Sequence, residues 1–453
     1  MPKHINKRIK GSIQRLSVLP LLAAAVGAQA QEAPSTEQLD QRIRVLERQL
    51  EIQKEESDAK AKDAATVSAG EKGFSIKSAK GDYEFKFRGL LQADSRWYFD
   101  DQAPRSNDGF LLRRVEPTFE LTLGKSLFFR IQPNFAPDSA TVSDVYGELR
   151  LSPAFNIRAG KFKAPVVLEN LQASAAIEFN ERGFPNELGP NRDYGVQLGG
   201  TFLSGTTNYA IGVFNGAPDG RDGKQQPDSD NRKELAARLF AEPFKNDPGF
   251  FQGLGFGVGA SHGDKQGSAD ATQVKYRTPG QSTFFNYLAA TGSTVGYDGA
   301  ETRISPQAYF YRNGFGLLAE YIVARQEVVL GASREKLDNK AWQAVANYVL
   351  TGEDASFSGL SKPKNPIDKG GFGAWELVAR YGVLDIDDDA FPIFADPAKS
   401  ASKATTWAAG ANWYPVNNLK VALSYAQTGF DGGAASGDRE DEKLLLTRFQ
   451  IAF

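Results

Sequence analysis

The chain has 453 residues, and its 53 Lys and Arg nearly balance its 55 Asp and Glu, for a formal net charge of −2. A near-neutral chain lacks the basic excess that is typical of nucleic-acid binding. Cysteine is absent and only His4 and His262 are histidines, which argues against disulfides, metal clusters and a Ser-His-Asp triad. We therefore expect a protein that is not an enzyme and that holds no metal or cofactor.

The first 30 residues have the pattern of an export signal. Five basic residues between Lys3 and Arg15 precede the apolar run from Val18 to Val26, and Ala28-Gln29-Ala30 follows. A basic region, a short apolar core and a small-residue cleavage site are typical of a signal peptide, and a buried helix is the alternative. Cleavage after residue 30 would remove those five charges and leave a formal charge of −7.

Residues 31–72 predict a periplasmic helical segment and a linker. Strong helix formers fill Thr36 to Lys62, with Thr36 as the N-cap, and residues 63–72 predict a flexible linker. The helix carries an apolar seam whose residues are spaced by four, three and four, an a/d pattern of about two heptads: Leu39, Ile43, Leu46 and Leu50. This seam suits a short coiled coil between copies of the chain, and the segment could also bind a periplasmic partner. A solvated amphipathic helix is the alternative.

From Tyr83 onward, apolar residues recur at every second position instead of every third or fourth. In YEFKFRGLLQADSRWYF, apolar side chains such as Phe85 and Phe87 alternate with polar ones such as Lys86 and Arg88. Alternation of this length exceeds an ordinary globular strand and suits a strand that crosses a bilayer at a tilt. No later window offers the ~20 apolar residues that a membrane-spanning helix needs.

The pattern predicts an all-β fold, a transmembrane antiparallel β-barrel of about 16 strands over residues 73–453. Membranes admit only helices and closed barrels, and sixteen strands enclose an aqueous channel; a water-soluble β-sandwich is the alternative. The predicted strands are 84–99, 110–124, 126–136, 142–152, 155–161, 193–203, 206–215, 232–243, 253–262, 301–312, 314–328, 338–351, 371–387, 402–414, 418–430 and 441–453.

The connections alternate in length. Tight turns such as Ser152-Pro153 and Asn313-Gly314 alternate with long loops such as 162–192 and 263–300, while residues 352–370 are long where a short turn is expected. Short turns at one end and long loops at the other are typical of outer-membrane barrels. We therefore expect the outer membrane of a Gram-negative-type cell, with membrane lipid and lipopolysaccharide as neighbours.

Aromatic residues support the membrane assignment. The chain ends LLLTRFQIAF, whose alternation makes it the closing strand and whose terminal Phe453 resembles an outer-membrane assembly signal. An interfacial girdle is predicted from residues on the apolar phase near strand ends: Trp97, Trp375, Trp407, Trp413 and Tyr425.

Among the side chains that the first five strands are predicted to point into the lumen, basic residues slightly outnumber acidic ones. In a narrow tube this excess favours anions, since arginine suits phosphate and carboxylate oxygens; cross-strand ion pairs without selectivity are the alternative. Nine bases face six acids: Lys86, Arg88, Arg96, Arg114, Arg130, Arg150, Arg158, Lys161 and Lys163 against Glu84, Asp94, Glu116, Glu120, Asp144 and Glu148.

Six motifs stand out in the chain: D-V-Y-x-E-L at Asp144–Leu149, R-A-G-K-F-K-A-P-x-x-L-E at Arg158–Glu169, E-R-x-x-P-N at Glu181–Asn186, N-R-D-Y-G-V at Asn191–Val196, R-I-S-P-Q-A-Y-F-Y at Arg303–Tyr311 and G-L-L-A-E-Y at Gly316–Tyr321. Together they resemble the phosphate- and polyphosphate-selective porin O/P family.

The resemblance implies a trimeric sixteen-stranded barrel whose third external loop, residues 162–192, folds into the lumen. It also implies a row of arginines that leads anions to a lysine-rich narrowing. The implied pore-lining residues are Arg88, Arg114, Arg130, Arg150, Arg158, Lys161, Lys163, Arg182 and Arg192.

We therefore expect a porin, a passive diffusion channel for small anions such as phosphate or polyphosphate. The expected assembly is a homotrimer. One alternative is a general or differently selective porin. The other is an envelope structural barrel in which the helical segment tethers the membrane.

Overall fold

The computed structural model describes residues 35–99, 107–136, 139–223, 230–360 and 362–453. The predicted signal peptide, residues 1–30, lies outside this described part. The chain divides into two compact units, Met1–Lys62 and Asp63–Phe453. Within the described residues, no helix is both long and apolar enough to cross a membrane.

Helix α1 spans Thr36–Asp63, and all of its residues but the last belong to the first unit. The prediction of Thr36 as N-cap is wrong by one residue, because Ser35 caps the helix. The Ser35 hydroxyl accepts a hydrogen bond from Gln38 N at 3.3 Å, and the Gln38 side chain accepts one from Ser35 N at 3.2 Å. This reciprocal pair is a capping box. The apolar seam is solvent-exposed in the single chain, by 45% at Leu39 and 64% at Leu50.

The second unit consists mainly of β-strands. In chain order they are β1 Thr66–Gly70, β2 Gly73–Lys77, β3 Tyr83–Tyr98, β4 Gly109–Leu123, β5 Leu127–Asn134, β6 Thr141–Ser152, β7 Phe155–Lys163, β8 Arg192–Phe202, β9 Thr207–Phe214, β10 Glu234–Ala241, β11 Leu254–Gly267, β12 Lys275–Arg277, β13 Thr283–Asn286, β14 Ala289–Ala290, β15 Ser293–Thr294, β16 Gly296–Arg312, β17 Phe315–Leu330, β18 Ser333–Val349, β19 Ala374–Asp385, β20 Ala401–Tyr414, β21 Leu419–Gly432 and β22 Glu442–Ala452. Short helices lie in the connections: α2 Leu168–Leu171, α3 Pro185–Leu188, α4 Ser268–Ala271 and the 3₁₀ turns Ile367–Lys369 and Asp388–Ala390.

Strands β3–β11 and β16–β22 form a closed antiparallel barrel. Each barrel strand pairs with the next one in the chain, and β22 closes the ring on β3 from Leu444↔Tyr98 to Ala452↔Leu90. The prediction of sixteen strands is confirmed. We call the end with the tight connections the turn end and the opposite end the loop end.

The largest boundary errors lie at the loop end. Strand β11 runs to Gly267 and β16 begins at Gly296, so the predicted loop 263–300 is shorter than expected. It contains α4 and the hairpins β12–β13 and β14–β15. Above the membrane the polar and glycine-rich strand ends lack an apolar face, so their sequence does not alternate.

Exposure alternates along the barrel strands as a membrane barrel requires. On β17, Leu317 and Tyr321 face outward and are exposed, whereas Glu320 and Ile322 face inward and are buried. Since side chains on a strand point to opposite faces in turn, this alternation separates a lipid-facing wall from the lumen.

Residues 66–77 form a hairpin, so the predicted linker over 63–72 is partly ordered. Strand β1 pairs with β2 from Thr66↔Lys77 to Gly70↔Gly73, and β2 pairs with β3 from Phe74↔Phe87 to Lys77↔Glu84. Because β22 pairs with β3 only as far as Leu90, the hairpin covers the edge of β3 that β22 leaves free.

Aromatic side chains lie at two levels on the outer wall. Trp375 and Trp413 stack at 5.6 Å between ring centroids at the turn end. Farther along the strands, Trp407 lies 5.4 Å from Tyr425. The second pair lies at mid-strand rather than at the predicted strand end, because β20 and β21 continue beyond it toward the loop end.

Buried charges draw the loop that follows β9 into the mouth of the barrel. Arg303, on β16, is completely buried and lies 2.8 Å from Asp219, 3.0 Å from Glu234 and 2.8 Å from Glu301. A buried guanidinium requires such partners, so Asp219 fixes its loop against the inner wall.

The C-terminal residue, Phe453, packs against β3, the strand with which β22 pairs to close the barrel. Gly89 and Phe453 exchange two backbone hydrogen bonds of 3.0 Å, and a Cβ at Gly89 would lie 2.6 Å from the Phe453 ring. The ring also contacts Phe74 and Phe87, with centroids 6.2 and 5.8 Å away. The N-terminal hairpin and the C-terminus therefore share one aromatic cluster.

We predict that Gly89→Ala lowers the stability of the barrel by about 1–3 kcal/mol, because the new methyl group displaces the Phe453 ring. The temperature at which the folded band disappears on a semi-native gel would measure this. Gly147→Ala is the matched control, since a Cβ there meets nothing within 4 Å. Equal melting of the two variants would contradict the role of Gly89.

Candidate functional site

The connection between β7 and β8, residues 164–191, crosses the lumen and is called loop 3. Asn412 of β20 donates to the Glu178 carbonyl at 3.0 Å, and Lys420 of β21 donates to the Ile177 carbonyl at 2.8 Å. In the ring of strands, β20 and β21 lie across the barrel from β7 and β8. Loop 3 therefore narrows the channel from within.

A buried carboxylate fixes the middle of loop 3. Glu169, which is 1% exposed, accepts hydrogen bonds from Gly183 N at 2.8 Å and from Asn186 Nδ2 at 2.9 Å. From the wall it accepts one from Gln343 Nε2 at 2.7 Å and pairs with Arg380. Removing one partner of a buried charge is costly, so these contacts hold the loop against β18 and β19.

A cavity of about 200 Å³ lies between loop 3 and the wall formed by β4–β6, and we call it the arginine cavity. Of the residues that line it, all but Gly220 have polar side chains. Its arginines are Arg113, Arg114, Arg182, Arg192 and Arg277, and its acids are Glu116, Glu181, Glu187 and Asp222.

Two of these acids are paired with cations. Glu181 accepts two hydrogen bonds from Arg113, at 2.5 and 2.9 Å, and lies 3.0 Å from Arg96. Burial alone would raise the pKa of Glu181, but Arg113, together with Arg114 and Arg448, outweighs burial and holds this pKa far below its usual value. Asp222 lies 3.1 Å from the Lys161 ammonium. Neither carboxylate presents an uncompensated negative charge to the cavity.

The other two acids are also partnered. Glu116 accepts hydrogen bonds from Gln132 at 2.7 Å and from Ser143 at 3.3 Å. Glu187 lies 3.6 Å from Arg277, although burial outweighs this neighbour and raises the pKa of Glu187. The negative charge of the lining is thus partly neutralised by the wall and partly reduced by burial.

Arg114 and Arg182 are held by neutral acceptors and are not in direct ion pairs with carboxylates. Arg114 donates to the Gln92 side chain at 2.7 Å, and Arg182 donates to the carbonyls of Glu169 and Gln172 at 3.0 and 2.9 Å. No ion pair among the described residues includes either guanidinium. Burial lowers the pKa of Arg182 to about 10, so the group stays charged at neutral pH.

A second cavity, of about 350 Å³, lies nearer the turn end and contains three more of the predicted pore-lining arginines. Arg88 lies 3.2 Å from Glu120, and Arg130 donates to the same carboxylate at 3.4 Å. Arg150 donates to Glu148 at 2.6 Å. These arginines form a row along one wall, and each shares a carboxylate.

The arginine cavity and this row are connected through one carboxylate. Asp144 accepts a hydrogen bond from Arg192 at 2.7 Å and lies 3.6 Å from Arg130. Arg192 lines the upper cavity and Arg130 lines the lower one. The two groups of basic side chains therefore form one continuous charged path along β3–β8.

Three of the predicted pore-lining residues contact the barrel wall or loop 3 and do not line either cavity. Arg158 donates to Glu148 at 2.7 Å and lies over the Tyr146 ring. Lys161 donates to the Val142 carbonyl at 3.0 Å, and Lys163 donates to the Gln172 carbonyl at 2.8 Å. The two lysines thus support the cavity from behind.

Sequence periodicity did not reveal two residues of the arginine cavity. Arg113 reaches the lumen beside Arg114 because a β-bulge shifts the register between Gln92↔Arg114 and Ala93↔Leu112. Arg277 comes from the loop between β11 and β16, which folds into the mouth: the Gly280 carbonyl accepts a hydrogen bond from the Arg96 guanidinium at 3.2 Å. The bulge shifts the alternation of β4 by one residue, so strict alternation places only one of the two arginines inward. An inward-folded loop has no alternation from which its position could be predicted.

The chain matches the family model "Phosphate-selective porin O and P" over residues 85–453. It belongs to that family. Porin O of Pseudomonas aeruginosa is 23% identical over 417 residues, which cover 84% of this chain and 91% of Porin O.

Two solved structures show the same fold. The outer membrane channel DcaP of Acinetobacter baumannii has a TM-score of 0.54 at 13% identity, over 85% of this chain and 100% of DcaP. OmpT of Vibrio cholerae in its trimer form has a TM-score of 0.51 at 11% identity, over 82% of this chain and 99% of OmpT.

The protein is therefore a porin of the outer membrane of a Gram-negative cell. In such barrels the short turns face the periplasm and the long loops face outward. The turn end is the periplasmic end, and loop 3 enters the lumen from the outside.

Glu178 of loop 3 has an unusual ionisation. It is 4% exposed, and burial, reinforced by Glu376 and Glu169, raises its pKa to about 7. Since the folded-state pKa lies above the unfolded value, the contribution of Glu178 to stability is most favourable below about pH 4.5 and is lost as the pH rises through about 7.

We predict that Glu178→Gln stabilises the protein by on the order of 2 kcal/mol at pH 8 and has little effect at pH 4.5. Thermal melting in detergent across this pH range would measure the difference. Glu335→Gln, at an exposed position on β18, serves as the control. A pH-independent effect of Glu178→Gln would show that its ionisation does not destabilise loop 3.

Proposed function

We propose that the protein is a passive channel for small anions, with phosphate or polyphosphate as the favoured cargo. The observation that supports this most directly is the pair Arg114 and Arg182, whose charges face the arginine cavity without a carboxylate partner. Arginine offers several N–H donors to a phosphate or carboxylate oxygen. An entering anion would exchange part of its water for these donors.

The row of arginines below the cavity suits conduction. Arg88 and Arg130 share Glu120, and Arg150 shares Glu148 with Arg158, so each would hold an anion more weakly than Arg114 or Arg182. Conduction needs sites that bind strongly enough to admit an ion and weakly enough to release it. An anion released from the arginine cavity would therefore meet weaker sites on its way to the periplasm.

We predict that Arg114→Gln and Arg182→Gln each lower the anion preference of the pore. At about 6 Å and an effective dielectric constant of about 40, one unit charge contributes about 1.4 kcal/mol, or roughly tenfold in anion occupancy. The reversal potential of purified protein in a planar bilayer under a salt gradient would measure this. The control is Arg325→Gln, because Arg325 is exposed and already paired with Asp338.

Wild-type measurements separate the proposal from its alternatives. A pore without ion preference would identify a general porin, and the absence of any conductance would favour an envelope tether. An unchanged reversal potential in both arginine variants would contradict the role of the cavity.

The phosphate preference has its own test. We predict that phosphate added to a pore that conducts chloride reduces the chloride current in a saturable manner, because phosphate occupies Arg114 and Arg182 for longer. This inhibition should weaken in Arg182→Gln. Anion selectivity without inhibition by phosphate would indicate a differently selective anion porin.

We further propose that the protein is a homotrimer whose α1 helices assemble into a coiled coil. The supporting observation is the exposed seam of Leu39, Ile43, Leu46 and Leu50, which one chain leaves uncovered. Two heptads are marginal alone, so the barrels would have to bring the helices together. The trimer form of OmpT is consistent with this assembly.

We predict that amine-specific cross-linking in detergent gives a ladder that ends at the trimer. Leu46→Asp should weaken cross-linking within the helical segment and leave the barrel trimer intact. A ladder that ends at the monomer would contradict the assembly, and unchanged helix cross-linking would contradict the seam.

A further inference from the structure

Three neighbouring strands carry charged side chains on their outward faces near the loop end. Lys340 of β18 pairs with Asp385 of β19, and Asp385 pairs with Lys403 of β20. Lys340 shares its face with Trp342 and Lys403 shares its face with Trp407, and both tryptophans are exposed on the outer wall. Because directly paired residues lie on the same face of a sheet, all three charges point away from the lumen. We call them the outer lysine row.

The height of this row matches the outer edge of the membrane. Trp375, in the aromatic pair at the turn end, and Asp385 lie near opposite ends of β19. The strand between them rises about 33 Å at 3.3 Å per residue, or about 25 Å along the barrel axis at a tilt of about 40°. The apolar band of outer-membrane barrels is about 25 Å tall. The row therefore lies at the level of the lipid phosphate groups of the outer leaflet.

Basic groups outnumber acidic ones in and beside the row. Lys340 is exposed, and among the residues that the structure describes no ion pair includes its ammonium group. The acids beside it have other partners, since Asp338 accepts two hydrogen bonds from Arg325 and Asp385 lies 3.7 Å from Lys403. Three bases thus face two acids. Lys340 remains available to an anionic group outside the barrel.

The outer wall below the row is a shallow groove between aromatic rings. On the side of the row, Trp342 lies 5.5 Å from Tyr381 and Trp407 lies 5.4 Å from Tyr425. Toward the turn end, β18–β20 present small side chains on the same outward face: Ala344, Ala346, Ala379, Ala409 and Ala411. Methyl groups between bulky rings leave room for a lipid acyl chain in close contact with the wall.

From this arrangement we infer that Lys340 and Lys403 bind a phosphate group of an outer-leaflet lipid whose acyl chains occupy the alanine groove. Lysine is a compact point charge that binds phosphate, and basic residues at a membrane surface attract anionic lipids. A lipid with two phosphates and several acyl chains, the chemistry of lipid A in lipopolysaccharide, uses both parts of the surface. The inference does not depend on which ion passes through the lumen.

Binding of diphosphoryl lipid A to the purified protein tests this site. We expect native mass spectrometry in a non-ionic detergent to show lipid A bound to the wild type. Lys340→Gln combined with Lys403→Gln should lower the affinity roughly tenfold or more, because two positive charges beside the lipid phosphate are lost. Acids also follow β19 at Asp387, Asp388 and Asp389. A chelator in the buffer therefore excludes binding through bridging divalent cations.

Lys369→Gln is the matched control, because Lys369 is an exposed lysine at the periplasmic end. It should bind lipid A like the wild type. Equal affinity of the double variant and the wild type, or no binding to the wild type, would overturn the inference. A large excess of inorganic phosphate should leave the lipid bound. Displacement by inorganic phosphate would identify a site for the free anion and overturn the assignment to a lipid.

Ala379→Phe tests the groove. The added ring should fill the space for an acyl chain and lower the affinity for lipid A. Ala237→Phe should not, since Ala237 lies on the outward face of β10, between the exposed Leu235 and Leu239. The folded gel band checks both variants. Unchanged binding in Ala379→Phe would contradict the placement of the acyl chains.

The reversal potential separates this inference from the proposed function. We expect the double lysine variant to keep the reversal potential of the wild type, because both lysines lie outside the lumen. If the wild-type pore proved not to prefer anions while the double variant still lost lipid A, the anion proposal would fail and the lipid site would stand. A changed reversal potential would contradict the outward placement of the two lysines.

Discussion

Closure of the backbone hydrogen-bond ladder is the constraint on which the rest of this structure depends. In the hydrocarbon layer no water is available to satisfy an open strand edge. Pairing of β22 with β3 removes the edge within the barrel, and the β1–β2 hairpin covers the part of β3 that extends past Ala452. Sixteen closed strands then enclose a lumen too wide to be filled by side chains of the wall alone. Loops must enter it if the pore is to be narrow.

Loop 3 brings charged groups into that lumen, and burial explains their arrangement. Glu169 is held by four partners, and Glu181 lies between two arginines. Buried charges without partners are costly, so these carboxylates are held in ion pairs and hydrogen bonds. Arg114 and Arg182 differ because neutral acceptors hold them. Their positive charge stays available to a passing ion, which is a property that a count of acids and bases does not show.

The sequence predicted the barrel well because lipid imposes a simple rule on it. Each membrane strand needs an apolar outward face and tolerates polar inward residues, so Phe85, Lys86 and their successors alternate with period two. Where strands extend beyond the membrane this alternation is no longer required, and the strand boundaries predicted from it were less accurate. Strand β11 continues to Gly267 above the membrane, and residues 66–77 pair as a hairpin whose strands have only five residues each. The bulge that brings Arg113 beside Arg114 interrupts the alternation by one residue, so a strictly alternating pattern places only one of the two arginines in the lumen.

The sequence by itself determined the number of strands, the membrane, the family and the presence of basic residues near loop 3. Local alternation and motif spacing suffice for these properties, because each depends on residues close together in the chain. Tertiary structure alone decided which bases keep an uncompensated charge, since Arg182 meets the carbonyl of Gln172 and Glu181 meets Arg113 through folding of the loop. It also decided which basic residues of β18 and β20 lie in one row at the outer edge of the membrane. Such contacts join residues far apart in sequence, and only packing in three dimensions selects them.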